Sequence, residues 1–151
     1  MKGGVKMFAP KSILVPTDFS VYSDNALKIA VDIAVQNKSK IYLLHVVEVR
    51  LYAFDYIYEK DLIERVEEQS VKYAQEKLQK EAETNGASKD IEIVFDIKKG
   101  DAAETILKEQ EDKGIDLIVI ASHGKKGILH RFGSVSDSVL KRAKSSVLLV
   151  K

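Results

Sequence analysis

Five apolar segments that alternate with helical patterns constrain the fold of this chain more than any other feature. The segments begin near residues 12, 40, 91, 116 and 145. Four of them are continuous apolar runs typical of buried strands, and the stretches between them repeat apolar residues at helical spacing. Strands that alternate with helices form an open, mostly parallel sheet with helices on both faces. The alternation therefore predicts an α/β fold with five strands.

The third apolar segment differs from the others because its residues alternate. Over residues 91–98, apolar side chains face one way, while charged side chains such as Glu92 and Asp96 face the other. This pattern is typical of a strand with one face in solvent. We therefore expect a half-exposed strand at a sheet edge, with Phe95 on its inward face.

Three residues with short polar side chains predict where helices begin. Ser20, Asp101 and Ser134 each precede a helical pattern, and a side-chain oxygen at the cap position accepts a hydrogen bond from the first turn. We expect these residues to cap three helices, and a fourth helix is predicted over residues 61–84. Residues 48–60 carry four aromatic side chains and no clear period, so we interpret them as a loop or a lid.

Length and composition limit the class of protein. The 151 residues suffice for one domain, residues 1–151, and we expect residues 1–10 to be a loose N-terminal extension. A formal net charge of +1 predicts no binding to nucleic acid or to a membrane surface. No apolar run approaches the ~20 residues that span a bilayer. The absence of cysteine excludes disulfides and thiol catalysis and fits a reducing cytoplasm.

The stretch over residues 118–139 indicates a phosphate-binding loop. An apolar strand ends at a basic loop that contains glycine, and a helical pattern begins near Gly133. Glycine lets backbone N–H groups approach an anion, and a helix N-terminus offers unpaired donors and the positive end of its dipole. Ligands of parallel sheets bind beyond the carboxyl ends of the strands. Three loops are expected to converge there on one crevice: residues 16–20, 46–48 and 121–134.

Four motifs in the chain resemble the universal stress protein family. They occur in the family's order and together span nearly the whole chain, from Ser12 to Val150. They are the first strand and turn at residues 13–20, the end of the second strand at 44–46, the nucleotide motif at 116–119, 122–124 and 133–136, and the final strand at 146–150.

The resemblance implies a fold and a cofactor. The family has an open five-stranded parallel sheet in the order 3-2-1-4-5, a Rossmann-like fold of the adenine nucleotide alpha hydrolase type. Its ATP-binding members carry the motif Gly-x2-Gly-x9-Gly-Ser/Thr. Here Ala121 replaces the first glycine, and eight residues rather than nine separate Gly124 from Gly133. With these two departures, the resemblance implies that the chain binds ATP.

The resemblance also implies which residues contact the nucleotide. Asp18 would accept hydrogen bonds from the ribose hydroxyls, and Val46 would lie against adenine. Gly124 would lie beside the phosphates, which Ser134 would bind at a helix N-terminus. The implied nucleotide-binding residues are Pro16, Thr17, Asp18, Val46, Ala121, Ser122, His123, Gly124, Lys125, Gly133, Ser134, Val135 and Ser136.

Several of these residues have an equally simple structural interpretation. Asp18 suits a turn or a helix cap, Val46 suits an ordinary strand core, and Gly124 suits a turn. Ser134 can cap a helix without any ligand. Most surface lysines are only solvated, and of the basic residues in this loop we assign only Lys125 to the phosphates.

The sequence assigns neither a catalytic site nor a protein metal site. The three histidines lack the i,i+4 spacing of helical metal ligands, and the serines have no identifiable base and orienting partner. Any Mg²⁺ or Mn²⁺ is therefore expected to be held chiefly by the nucleotide phosphates. We expect hydrolysis, if it occurs, to be slow.

The last strand predicts a homodimer. Residues 147–150 are apolar on both faces, although the family's strand order places this strand at an edge. An exposed apolar edge favours pairing with another chain. The resemblance also implies a symmetric dimer. We therefore expect two chains to pair along Val147 to Val150.

Three functions remain open on the sequence. The first is an ATP-binding, homodimeric module of stress response or signalling with an unknown protein partner. The second is a nucleotide-free dimer of the same family that acts through protein contacts. The third is an adenine-nucleotide hydrolase, against which the chain shows neither a second catalytic domain nor a Ser-Gly-Gly-x-Asp-type pyrophosphate motif.

Overall fold

The predicted alternation of strands and helices is confirmed in a computed structural model. The structure describes residues 7–48, 60–86, 90–124 and 133–151. The elements in chain order are β1 (Ser12–Pro16), α1 (Val21–Asn37), β2 (Lys40–Val47), α2 (Lys60–Asn85), β3 (Ile93–Lys99), α3 (Ala102–Asp112), β4 (Leu117–Ala121), α4 (Ser134–Arg142) and β5 (Ser146–Val150).

The five strands form one parallel sheet in the order β3-β2-β1-β4-β5. β1 pairs with both β2 and β4, so strand order reverses between β1 and β4. Ligands of open parallel sheets bind at such a reversal, beyond the carboxyl ends of the strands. β3 and β5 form the two edges. Both the fold class and the strand order agree with the prediction.

Each face of the sheet carries its own hydrophobic core. α1 and α2 cover one face, where Leu27 and Leu78 are fully buried. α3 and α4 cover the other face, where Ile106 and Val139 are buried. Full burial of one such side chain contributes about 1.5–3 kcal/mol, so the two cores hold the strand ends in fixed positions.

Two of the three predicted helix caps are confirmed. The Ser20 hydroxyl accepts a hydrogen bond from Ser23 N–H, and Asp101 Oδ1 accepts one from Glu104 N–H. The prediction for Ser134 was wrong, because Gly133 occupies the cap position of α4. The Gly133 carbonyl accepts the first helical hydrogen bond, and Ser134 is therefore already inside the helix. Among the described residues, no side chain caps α4.

Gly86 ends α2 at a close approach to α1. Its N–H donates to the Ala82 carbonyl at 2.8 Å. A β-carbon added to Gly86 would lie 2.7 Å from Cγ2 of Val31. The helix end predicted near residue 84 is thus fixed by contact with α1 as well as by local backbone preference.

The edge strand β3 confirms one expectation and corrects another. It lies at the edge, as predicted, and Ile93 and Ile97 pack on the α1–α2 core. Phe95, which we expected on the inward face, is 46% exposed. Asp96 is more shielded than predicted, because Lys113, the residue that follows α3, binds its carboxylate at 2.7 Å.

Three sequence expectations concern the margins of the described residues. Pro10, which we expected to end a loose extension, is buried, and its carbonyl accepts a hydrogen bond from the Ser39 hydroxyl at 2.6 Å. Most of the expected loop or lid, residues 49–59, lies outside the described residues, as does Lys125. In the part of the chain that the structure covers, no helix combines the length and apolarity needed to cross a membrane.

Candidate functional site

A cavity of about 710 Å³ lies beyond the carboxyl ends of β1, β2 and β4. This volume lies within the ~300–1,000 Å³ typical of small-molecule sites. The loops expected to converge contribute to its wall, and so do α2 and the first residues of α3 and α4. The switch in strand order therefore opens into a ligand-sized cavity, as the fold predicts.

Most of the sequence-predicted site residues line this cavity. They are Pro16, Thr17, Asp18, Val46, Ala121, His123, Gly124, Gly133, Ser134, Val135 and Ser136. Ser122 does not line it: the residue is buried, and its N–H donates to the Val150 carbonyl at 2.7 Å. Within the described ranges the Ser122 hydroxyl has no hydrogen-bond partner. Lys125 lies outside those ranges.

Asp18 holds the turn after β1 through one carboxylate oxygen and faces Gly124 with the other. Its Oδ1 accepts hydrogen bonds from Ser20 N–H and from the Ser23 hydroxyl, both at 3.0 Å. Its Oδ2 faces Gly124, where an added β-carbon would lie only 2.7 Å away. A carboxylate has about four acceptor positions, so the same side chain can hold the turn and face the cavity that it lines.

A buried carboxyl group lies behind this turn. Glu81 of α2 is 6% exposed, and both its carboxyl oxygens lie 2.9 Å from Thr17 Oγ1. Burial, aided by the nearby carboxylates of Asp24 and Asp18, raises the pKa of Glu81 to about 8, against the lowering effect of the Thr17 hydrogen bond. Glu81 is therefore predominantly a neutral acid at pH 7.

Three helices begin at the cavity, and their N-termini differ. At α1, Ser20 caps the first turn. At α3, Glu48 Oε1 accepts from Ala102 N–H at 2.8 Å, in addition to the cap from Asp101. At α4, no described side chain caps the N-terminus. The open N–H groups of α4 make it the helix end suited to an anion.

The first turn of α4 is packed tightly against the end of β4. The Ser136 hydroxyl donates to the Gly133 carbonyl at 2.9 Å. A β-carbon on Gly133 would lie 2.9 Å from Ser136 Oγ and 3.4 Å from the Ser122 carbonyl. Glycine therefore permits this close approach, and a β-carbon here would displace the Ser136 hydroxyl. Ala121, where the motif has its first glycine, is accommodated at the cavity wall and is 8% exposed.

An aromatic cluster lies between β2 and α2, and two of its members, His45 and Tyr73, line the cavity. Phe19 adopts a left-handed backbone conformation with φ of 64° and stacks on His45 at a centroid distance of 4.3 Å. Tyr73 meets the Phe19 ring edge-on at 6.3 Å. His45 Nδ1 lies 2.8 Å from the Thr17 carbonyl. Because that carbonyl accepts only, Nδ1 carries the hydrogen.

Sequence reasoning missed the contribution of α2 to the cavity. Val66, Gln69, Ser70 and Tyr73 line it, and Glu81 supports it from behind. Helical periodicity indicates which side of a helix faces the protein. It does not indicate which other element lies opposite, and so gave no signal for these residues.

The described residues provide no metal centre of their own. They contain no group of three or more histidine, aspartate or glutamate side chains that could hold an ion. The cavity instead presents one carboxylate turn, one open helix N-terminus and an apolar wall around Val46. These features are complementary to a polar small molecule that carries an anionic group.

Comparison with known proteins identifies the family. The model of the Universal stress protein family matches residues 10–151. The universal stress protein MJ0577 of Methanocaldococcus jannaschii is 33% identical over 159 residues, covering 93% of this chain and 94% of that protein. The solved structure of MJ0577 superposes with a TM-score of 0.83 at 28% identity, covering 95% of this chain and 97% of that one.

A second solved structure, of a universal stress protein in complex with cAMP, superposes with a TM-score of 0.64 at 25% identity. It covers 95% of this chain and 98% of that one. The family match extends over nearly all of the chain, and the strand order, the helix arrangement and the cavity at the switch point agree with it. This chain belongs to the universal stress protein family.

Proposed function

We propose that this protein is an ATP-binding, homodimeric module of stress response or signalling. The observation that carries the proposal is that one cavity is lined by both the open N-terminus of α4 and the carboxylate of Asp18. The N–H groups of Ser134, Val135 and Ser136 suit phosphates, and Asp18 suits ribose hydroxyls. Val46 at the end of β2 offers an apolar surface for adenine.

The cAMP complex of a relative supports an adenine nucleotide as the ligand class. That relative is 25% identical to this chain, and cAMP contains both adenine and ribose. We propose ATP because the cavity volume accommodates more than a nucleoside, and because Gly124 and His123 line the cavity together with the α4 N-terminus. Lys125 is proposed to neutralise part of the phosphate charge.

A bound Mg²⁺ or Mn²⁺ would be held chiefly by the phosphates. Magnesium usually takes few protein ligands and retains several waters. The described part of the chain has no cluster of metal-binding side chains that would replace those ligands. Because no base is positioned by the sequence motifs to activate water, we expect hydrolysis to be slow at most.

Dimerisation along β5 is proposed from the exposure of this edge strand. Leu148 is 38% exposed, while Val147 and Leu149 contact the α3–α4 core. β5 pairs with β4 on one side. Its other edge can receive the same strand of a second chain, which would cover Leu148 and join the two sheets.

A nucleotide-free member that acts through protein contacts is the second candidate. The Ala121 methyl group lies in the cavity wall where the ATP motif has glycine, and this observation favours it. The third candidate, an adenine-nucleotide hydrolase, has no comparable support and would require phosphate release at excess substrate.

Titration calorimetry with ATP, ADP and AMP, with and without Mg²⁺, tests the proposal. We expect ATP to bind and Asp18→Ala to weaken it about tenfold or more, since a hydrogen bond to a charged group contributes ~1.5–3 kcal/mol. Asp32→Ala, an exposed acid on the same side of the sheet, is the matched control. Absence of binding, together with no nucleotide released on denaturation, would favour the nucleotide-free candidate.

A further inference from the structure

A continuous hydrogen-bonded chain leads from the buried side of α2 to the cavity. Glu81 contacts Thr17 Oγ1 at 2.9 Å, and Thr17 Oγ1 lies 3.0 Å from Ser23 Oγ. Ser23 Oγ in turn lies 3.0 Å from Asp18 Oδ1 and 3.0 Å from the Ser20 carbonyl, so its single hydrogen is shared between these two acceptors. Glu81, Thr17 and Ser23 are all buried. The chain therefore joins two elements far apart in sequence through contacts shielded from water.

We propose that Glu81 is a positioning residue for the candidate nucleotide site, acting on Asp18 through the hydroxyl groups of Thr17 and Ser23. This inference rests on the proposed function for its biological meaning, because Asp18 is the residue assigned to ribose. Glu81 itself does not line the cavity. It regulates the site from α2, the helix whose Val66, Gln69, Ser70 and Tyr73 form the opposite wall.

The protonation state of Glu81 determines the direction of the hydroxyl hydrogen bonds. When Glu81 is a neutral acid, the Thr17 hydroxyl donates to Ser23, and the Ser23 hydroxyl donates to Asp18. When Glu81 ionises, its carboxylate is the stronger acceptor and draws the Thr17 hydrogen towards itself. Ser23 Oγ then no longer accepts a hydrogen bond from the Thr17 hydroxyl. Because hydrogen bonds in a chain polarise and strengthen one another, the bond from Ser23 to Asp18 becomes weaker.

The charges around Glu81 make its ionisation unfavourable to an anionic ligand. Asp24 faces it from α1 and Asp18 from the β1–α1 turn, and both are acidic. No lysine or arginine among the described residues forms an ion pair with Glu81. Its deprotonation therefore adds an uncompensated negative charge behind the ribose-facing turn. Nucleotide affinity should fall as the pH rises through about 8, the pKa of Glu81.

Three variants separate the relay from simple structural support. Glu81→Gln keeps the size of the side chain and cannot ionise. Thr17→Val keeps the shape of Thr17 and removes its hydroxyl, while Glu81 still titrates. Glu83→Gln is the matched control, because Glu83 lies two residues along the same helix, is exposed and accepts a hydrogen bond from Gln79.

Calorimetry with ATP in the absence of metal, between pH 7.5 and 9, tests the effect on binding. This interval lies above the phosphate pKa of ~6, so the charge of the ligand changes little. We expect the affinity of the wild type and of Glu83→Gln to fall about threefold to tenfold, by repulsion through a partly screened medium. Glu81→Gln should keep its affinity across the interval. If Glu81→Gln lost ATP affinity with rising pH to the same extent as the wild type, the proposal would be overturned.

Carbon NMR of the aspartate carboxyl groups tests the positioning without any ligand. In the wild type, the Asp18 resonance should move in a step with a midpoint near pH 8, the pKa of Glu81. Glu81→Gln should abolish the step, and Thr17→Val should reduce it to the direct electrostatic effect. If the wild type binds no nucleotide, the proposed function fails, and this titration still decides the positioning role. An Asp18 resonance without a Glu81-dependent step would contradict that role.

Discussion

Gly124 lies directly against the carboxylate of Asp18. A β-carbon on Gly124 would lie 2.7 Å from Asp18 Oδ2, well inside normal contact distance. The sequence motif indicates that this glycine lets the backbone approach phosphate. In the structure, the glycine also leaves room for the carboxylate assigned to ribose. One residue thus adjoins both proposed polar ends of the ligand.

Gly124→Ala should displace Asp18 and weaken ATP binding about tenfold or more, equivalent to about 1.4 kcal/mol. The reason is that Asp18 Oδ1 is held by two hydrogen bonds, so Oδ2 cannot retreat without breaking them. Calorimetry measures the loss. In an Asp18→Ala background the same alanine should cost little further affinity, because the clashing carboxylate is absent. Full additivity of the two substitutions would argue against the contact as the cause.

Glu81→Gln should stabilise the protein at alkaline pH relative to wild type. The folded-state pKa of Glu81 is raised from 4.5 to about 8. An acid whose pKa is raised in the folded state does not lower the free energy of unfolding below pH 4.5, where it is protonated in both states. The unfolded chain ionises first as the pH increases, so the free energy of unfolding falls between pH 4.5 and about 8 and then levels off.

We expect the advantage of Glu81→Gln to grow over that interval to about 4–5 kcal/mol, because one unit of pKa difference corresponds to about 1.4 kcal/mol. Urea unfolding at pH 5, 6.5 and 8.5 would measure it, with Glu83→Gln as the control. A constant difference at all three pH values would show that Glu81 does not carry the predicted shift.

Leu148→Lys should convert the proposed dimer to a monomer. Leu148 is 38% exposed on the edge strand β5, and a lysine there blocks pairing of edges. Leu149 is a poorer test, because it packs against the α3–α4 core and its substitution would disturb folding. Light scattering after size exclusion gives the mass. Leu140→Lys, at a 46% exposed position on α4, should leave the dimer intact.

Gly86→Ala should destabilise the fold by about 1–3 kcal/mol, the usual cost of overpacking. The added methyl would lie 2.7 Å from Cγ2 of Val31 and push α2 away from α1. Thermal unfolding measures the loss. Val31→Ala in the same chain should recover part of it by removing the clashing methyl groups. If the double variant is as unstable as the sum of the single variants, the contact is not the cause.

The sequence predicts the fold well because the relevant signals are local. Apolar runs and helical periods identify β1 to β5 and the four helices, and the caps Ser20 and Asp101 follow from one turn of chain. The error at Ser134 is also local, and it amounts to one residue. Gly133 and Ser134 are consecutive and both suit a cap position, and only the first helical hydrogen bond, which the Gly133 carbonyl accepts, distinguishes them.

In the candidate site, too, the residues with a local sequence signal were predicted, and the residues that depend on long-range contacts were not. Asp18 and Gly124 follow strands closely and Val46 lies at the end of β2, and family resemblance assigns them roles. The contact of Glu81 with Thr17 spans 64 positions along the chain, so no local pattern reports it. The sequence indicated Glu81 only as an acidic residue on the inward side of a helix. Ser122 shows the converse, since membership of a motif does not determine which way a side chain turns.

The three helices that begin at the cavity differ in their N-terminal caps, and this difference makes one end of the cavity more favourable to an anion than the other. Glu48 and Asp101 occupy the start of α3, and Ser20 and Asp18 hold the start of α1, so an incoming anion meets oxygen atoms at both. Of these three helix starts, that of α4 alone has no side-chain cap among the described residues. An asymmetric ligand with one charged end therefore has a single favourable orientation, and its uncharged end must point towards β2 and α2.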